Sequence, residues 1–392
     1  MSVDDSQIEL NRREALTLTA GAVGTVLVPD WKLPPRRRQF RLWAFGDAHV
    51  GTDLVEGRRS LAIALEQSER GDEEGAVPFE WDLAINVGDM SGAHQSPTDE
   101  EGREVIAQYS VLKDHPREAV YDLCGNHDRN AVGEPEGAWF RRWIDPLGEN
   151  PETSGVDVSR RPYPVEGTWE RYQFRVGNLL FLMMSDRNEP TQTVGRGQLG
   201  GNPAGVVTGE TFAWWKDQVL ANPDSIVVSA HHYVLKDTTV ASGDWEGFEK
   251  NEQGDWRPRF HGYYPQGSPR GASYLYWVNG QEDSGAFESF LAEHPQSVGL
   301  WLAGHTHAQP NARVGNKTHI ETRWGTHFIN VCALTRFHVK RSSRPMSRLL
   351  TFEEGSRLLR VQCYMHSNDF ARRGWYARAE RTLLLPKPFR WA

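Results

Sequence analysis

Five short runs of apolar and β-branched residues punctuate the chain, and each stops abruptly at Asp, Asn or His. They are RLWAFG before Asp47 and His49, DLAINVG before Asp89, VYDLCG before Asn126 and His127, SIVVSA before His231 and His232, and VGLWLAG before His305 and His307. Each run is continuous rather than alternating, as expected of strands buried on both faces in a helix-covered sheet. The pattern predicts strands at 40–46, 82–87, 119–124, 225–230 and 297–303, with helices at 54–68, 99–113, 136–144, 210–220 and 284–294. A hairpin is expected near 170–184 and further strands near 326–333, 347–353 and 357–366. Alternating strands and helices followed by hairpin-like strands predict an α/β domain of two packed mixed sheets flanked by helices.

The polar residues therefore sit at strand ends. In open α/β sheets ligands bind beyond the carboxyl ends of the strands, so five such ends would bring these side chains together. Asp and His with Asn as a neutral oxygen donor, and no Cys among them, make a mixed oxygen and nitrogen set suited to Mn, Fe, Zn or Co. Asp47, His49, Asp89, Asn126, one of the pair His231 and His232, His305 and His307 are more donors than one ion with open positions needs. Two divalent or trivalent ions fit better, with Asp89 shared between them at a separation of about 3.5–4 Å.

Gly46-Asp47-Ala48-His49, Gly88-Asp89, Gly125-Asn126-His127-Asp128, a strand-end His231 and Gly304-His305-Thr306-His307 resemble, in order, the motif set of the calcineurin-like metallophosphoesterase superfamily over residues 40–335. The resemblance implies a four-layer αββα sandwich and hydrolysis of a phosphoester substrate, as a phosphodiesterase or phosphomonoesterase. It assigns Asp47, His49, Asp89 and His307 to one ion, and Asp89, Asn126, His231 and His305 to the other. His231 is the aligned donor of the histidine pair, which leaves His232 to donate a ring N–H to a carboxylate or carbonyl. His127 is by resemblance no ligand but the group that contacts the scissile phosphate. A hydroxide bridging the metals would attack phosphorus, and Asp128 would orient His127 and raise its basicity. Arg129 and Arg187 are candidate phosphate contacts. Asp89 is followed by Met-Ser-Gly-Ala, so the tyrosine ligand of purple acid phosphatases is missing here.

Composition adds limits. With 392 residues, 38% of them hydrophobic, the chain can bury one sizeable α/β core, expected at 40–392. A net charge of −8 argues against non-specific nucleic-acid binding. Three cysteines, Cys124, Cys332 and Cys363, are too few for a disulfide framework. Residues 1–39 differ in character: Asn11-Arg12-Arg13 followed by LTLTAGAVGTVLV has the form of a twin-arginine export signal or membrane anchor, the alternative being an ordinary N-terminal arm of a cytoplasmic protein.

Two Gly- and aromatic-rich insertions, 187–209 and 236–283, leave strands that end at the site. They are expected either to form its rim and set leaving-group preference or simply to cap the sheet edge, with His261 facing the mouth. A non-catalytic binding scaffold, or a dinuclear hydrolase of a non-phosphoester bond, are the competing functional readings.

Overall fold

Strand Gln39–Phe45 turns Phe40, Leu42 and Ala44 to one face and Trp43 and Phe45 to the other, and both faces are covered. The computed structural model describes residues 38–92, 96–128, 135, 137–187, 205–243, 247–250, 256–259, 274–275, 277–278, 281–282, 285–331, 333–335 and 344–391. Residues 1–37, which carry the expected export signal or anchor, Arg129, His261, Cys332 and most of both insertions lie outside these residues. From Arg37 onward the chain forms one unit.

The first of two seven-stranded mixed sheets runs Leu358–Met365, Met346–Glu353, Gln39–Phe45, Leu83–Asn86, Val120–Asp122, with the short strands Gly374–Trp375 and Arg381–Leu384 both pairing with Leu358–Met365. The second runs Ile320–Arg323, Thr326–Asn330, Leu300–Ala303, Ile226–Ala230, Leu179–Met184, Arg171–Val176, Glu166–Gly167. The three site-bearing strands of the first sheet are parallel, as are Leu179–Met184, Ile226–Ala230, Leu300–Ala303 and Thr326–Asn330 in the second.

Three apolar clusters show the layering. One joins Leu42, Ile85 and Leu350 of the first sheet to Phe174, Phe181, Val228 and Leu302 of the second. Another packs Trp43 and Phe45 under helices Ser60–Arg70, Asp99–Tyr109 and Ala138–Trp143. The third packs Val227 and Trp301 under helices Gly209–Ala221 and Gly285–Glu293. Helix, sheet, sheet, helix is the four-layer αββα sandwich expected from the sequence. Among the described residues no helix is long and apolar enough to cross a membrane.

Helix Asp99–Tyr109 opens on a capping box in which Thr98 Oγ1 accepts the Glu101 N–H and the Glu101 carboxylate accepts the Thr98 N–H. The helix expected at 54–68 is instead two, Thr52–Val55 and Ser60–Arg70. Gly57 at φ 78° lets the chain turn between them, and the buried Asp53 carboxylate accepts both the N–H and the hydroxyl of Ser60. The insertions are not wholly irregular. Val206–Val207 of the first pairs with Trp277–Val278 of the second, and Gly247–Lys250 pairs with Trp256–Arg259.

Candidate metal centre

All five polar strand ends meet. Asp47, His49, Asp89, Asn126, His127, His231, His232 and His305 are buried at one end of the sandwich, with His307 beside them. The backbone explains how. Eleven non-glycine residues among those described have positive φ, and five of them are Asp47, His49, Asp89, His305 and His307. Such φ values are rare outside glycine and gather at functional sites, because the surrounding structure must hold them. Here each one turns a side chain off the strand axis toward the neighbouring strand ends. The glycines before the donors serve close approach: a Cβ on Gly125 would lie 2.3 Å from Asp89 Oδ1, and one on Gly304 2.3 Å from Asp47 Oδ2.

Three groups of donor atoms result, each with its members within 4.8 Å of one another: Asp47, His49 and His307; Asp89, His232 and His305; and His49, Asp89 and His127, which shares a member with each of the others. In the first, Asp47 Oδ1 lies 3.0 Å from His307 Nε2, and the Nε2 atoms of His49 and His307 are 3.0 Å apart. The second adjoins it through Asp89, whose Oδ2 is 3.1 Å from His232 Nε2 and 3.7 Å from His49 Nε2. Asn126 stands beside the second group, its Oδ1 accepting the hydroxyl of Tyr233 at 2.9 Å. His127 donates its backbone N–H to Asp89 Oδ1 at 2.7 Å, and its ring meets that of His49 edge-on at 4.7 Å.

These residues fit metal ions. Asp47, Asp89, Asp128 and Asp186 are all at most 1% exposed at this end of the molecule, and buried carboxylates demand compensating positive charge. Burial raises Asp128 to about 7, with the Asp89 carboxylate adding to the rise. Asp186 is also lifted to about 7, chiefly by burial. Burial lowers His232, but the Asp89 carboxylate, Asp47 and the Val87 carbonyl together push it up to about 10. Oxygen and nitrogen donors gathered around shared negative charge suit borderline divalent cations.

Two expectations are corrected. His232, not His231, faces the centre. Along Ile226–Ala230, Val228 and Ala230 point between the sheets whereas Val227 packs under the helices, so alternation turns His231 outward and His232 inward. His232 Nδ1 bonds Val87 O of the facing sheet at 2.7 Å, which aims Nε2 at Asp89. His231 spends its Nδ1 on the Tyr233 N–H at 3.0 Å, and burial depresses it to about 3. The second correction concerns Asp128, which does not orient His127. Its carboxylate accepts three backbone N–H groups, those of Asp89, Ser91 and Gly125 at 2.8–2.9 Å, and so holds the second and third motif turns together. Arg187 pairs with Glu170 at 2.7 Å.

Two strand-end residues escaped the sequence reading. Asp186, just past Leu179–Met184, accepts the Gly205 and Val206 N–H groups and ties the end of the first insertion to this end of the sheet. Asn330, last residue of Thr326–Asn330, donates to Gly304 O and Thr306 Oγ1 and so braces the His305-Thr306-His307 turn. The rule that found the donors, a polar residue where an apolar run stops, applies to both.

No family model and no curated protein matches the chain. Solved structures similar to it include a conserved protein of Streptococcus pneumoniae described as a predicted phosphoesterase, at 9% identity and TM-score 0.33, covering 88% of this chain and 98% of that one. A sulfate thiohydrolase, SoxB, of Thermus thermophilus aligns at 13% identity and TM-score 0.33 over 91% of this chain and 58% of that one. A metallophosphoesterase from Sphaerobacter thermophilus aligns at 13% identity and TM-score 0.27, covering 81% and 84% respectively. The chain's own topology gives paired mixed sheets, helices on both outer faces and an ordered donor set at the strand ends.

Proposed function

We propose that the chain is a dinuclear metal-dependent hydrolase of phosphoester bonds, a phosphodiesterase or phosphomonoesterase. One observation carries this reading: a single oxygen, Asp89 Oδ2, faces His49 of one donor group and His232 of another. A carboxylate so placed can serve two ions at once. One would take Asp47, His49, Asp89 and His307, and the other Asp89, Asn126, His232 and His305, with Mn, Fe, Zn or Co as candidates. When bound, such a pair supplies Lewis acidity toward phosphoryl oxygens and lowers the pKa of water toward neutrality.

The chain's own groups do the rest. The His127 N–H fixes Asp89 by holding Oδ1, which leaves Oδ2 directed at the two histidines. Asp128 holds the Asp89 backbone from below. The His127 ring, packed against His49, would hydrogen-bond a phosphate oxygen and pass a proton to the departing one. Burial of the whole group excludes bulk water and strengthens each electrostatic contact.

Hydrolysis of bis-p-nitrophenyl phosphate and of p-nitrophenyl phosphate with added Mn²⁺ tests the reading. We expect p-nitrophenol release from at least one of them, abolished by chelation. Diester preference marks a phosphodiesterase and monoester preference a phosphomonoesterase. Metal-loaded protein that cleaves neither contradicts the proposal and favours a binding scaffold or a non-phosphoester bond.

A further inference from the structure

We infer that Tyr233 is the positioning residue of the half-centre formed by Asp89, Asn126, His232 and His305, an inference that rests on the dinuclear reading above. One buried side chain touches every donor of that half except the shared carboxylate. Its hydroxyl donates to Asn126 Oδ1 at 2.9 Å. Its ring lies against that of His305, centroids 4.0 Å apart at 34°, and meets that of His232 edge-on at 5.2 Å and 84°.

Tyr233 is itself held on all sides. It is fully buried, its N–H is taken by His231 Nδ1 at 3.0 Å, and its carbonyl accepts the Trp301 indole N–H at 3.1 Å. His231, displaced from the centre by strand alternation, thereby fixes the backbone from which the tyrosine projects.

Asn126 is the donor that most needs such help. A carboxamide is neutral, its terminal torsion is broad, and a half-turn would present its NH₂ group, which cannot bind a cation. A hydroxyl donating to Oδ1 settles which end faces inward and leaves the oxygen's second lone pair for the metal. Ring contact with His305 and His232 sets the planes of the two imidazoles in the same stroke.

Titration of metal-free protein with Mn²⁺ by calorimetry, with thermal unfolding of the metal-free forms alongside, tests the inference. Wild type should take up two ions. Tyr233→Phe keeps the ring and loses the hydroxyl, so one binding step should stay within about twofold while the other weakens about 10–100-fold, the usual effect of removing a partner of a metal ligand. Metal-free melting should be nearly unchanged. In an Asn126→Ala background the same tyrosine substitution should add nothing further. Two unaltered steps in Tyr233→Phe, or equal weakening of both with a lowered metal-free melting point, would overturn the positioning role. Fewer than two ions in wild type would instead remove the dinuclear reading beneath it.

Discussion

His231 and His232 are chemically alike and adjacent, yet the fold separates them completely. His232 reaches across to Val87 O and Asp89, whereas His231 turns back onto the Tyr233 backbone. His232→Ala should therefore lower bound metal by about one ion per chain, measured by inductively coupled plasma mass spectrometry, while His231→Ala should keep both. The reverse result would return His231 to the ligand set. The donors themselves were legible because Asp, Asn and His are out of place at the ends of buried apolar runs. Which of two neighbouring histidines points inward was not. SIVVSA is apolar on both faces, so nothing in it tells the side toward the other sheet from the side toward the helices, and parity decides the matter only once the sheets are paired. The role of Asp128 was hidden for a related reason. Its three partners are backbone N–H groups of other turns, and a sequence displays side chains only.

Helices and strands were read with fair success wherever periodicity and local chemistry agreed. Thr98 and Glu101 mark the start of Asp99–Tyr109, and the hairpin near 170–184 closes at Val176–Leu179. The break between Thr52–Val55 and Ser60–Arg70 went unseen because Leu54 and Leu61 keep a seven-residue spacing across the polar EGRRS, and the carboxylate that accepts the Ser60 N–H comes from Asp53, seven residues upstream. Strands Arg381–Leu384 and Gly374–Trp375 were missed because they are short, largely exposed and formed only by pairing with Leu358–Met365. Helix packing supplies a prediction that opposes intrinsic propensity. Gly102 lies inside Asp99–Tyr109, where alanine is normally favoured by about 1 kcal/mol. A Cβ there would stand 2.2 Å from Cδ2 of the buried Trp143 ring, so Gly102→Ala should lower the melting temperature. A rise would mean that the two helices can separate without cost.

At the scale of the molecule, the two sheets contribute unequal halves of one centre. Asp47, His49, Asp89, Asn126 and His127 come from three parallel strand ends of the first sheet, and His232, His305 and His307 from two of the second. His49, Asp89 and His127 come from the first sheet alone, but the groups completed by His307 and by His232 and His305 draw on both sheets and exist only where the sandwich closes. The layered architecture was legible as a class from the order of elements. The small sheet that joins Val206–Val207 to Trp277–Val278 was not, since nothing local links residues so far apart in a chain. Because Asp89 Oδ2 faces both His49 and His232, the proposed pair of ions would depend on it. The most direct test is the metal content of wild type and Asp89→Ala after loading with Mn²⁺ and removal of free ion. We predict two ions per chain in wild type and less than one in the variant, with both proteins folded by circular dichroism. A metal-free wild type, or a variant that still holds two ions, would contradict the shared-carboxylate centre.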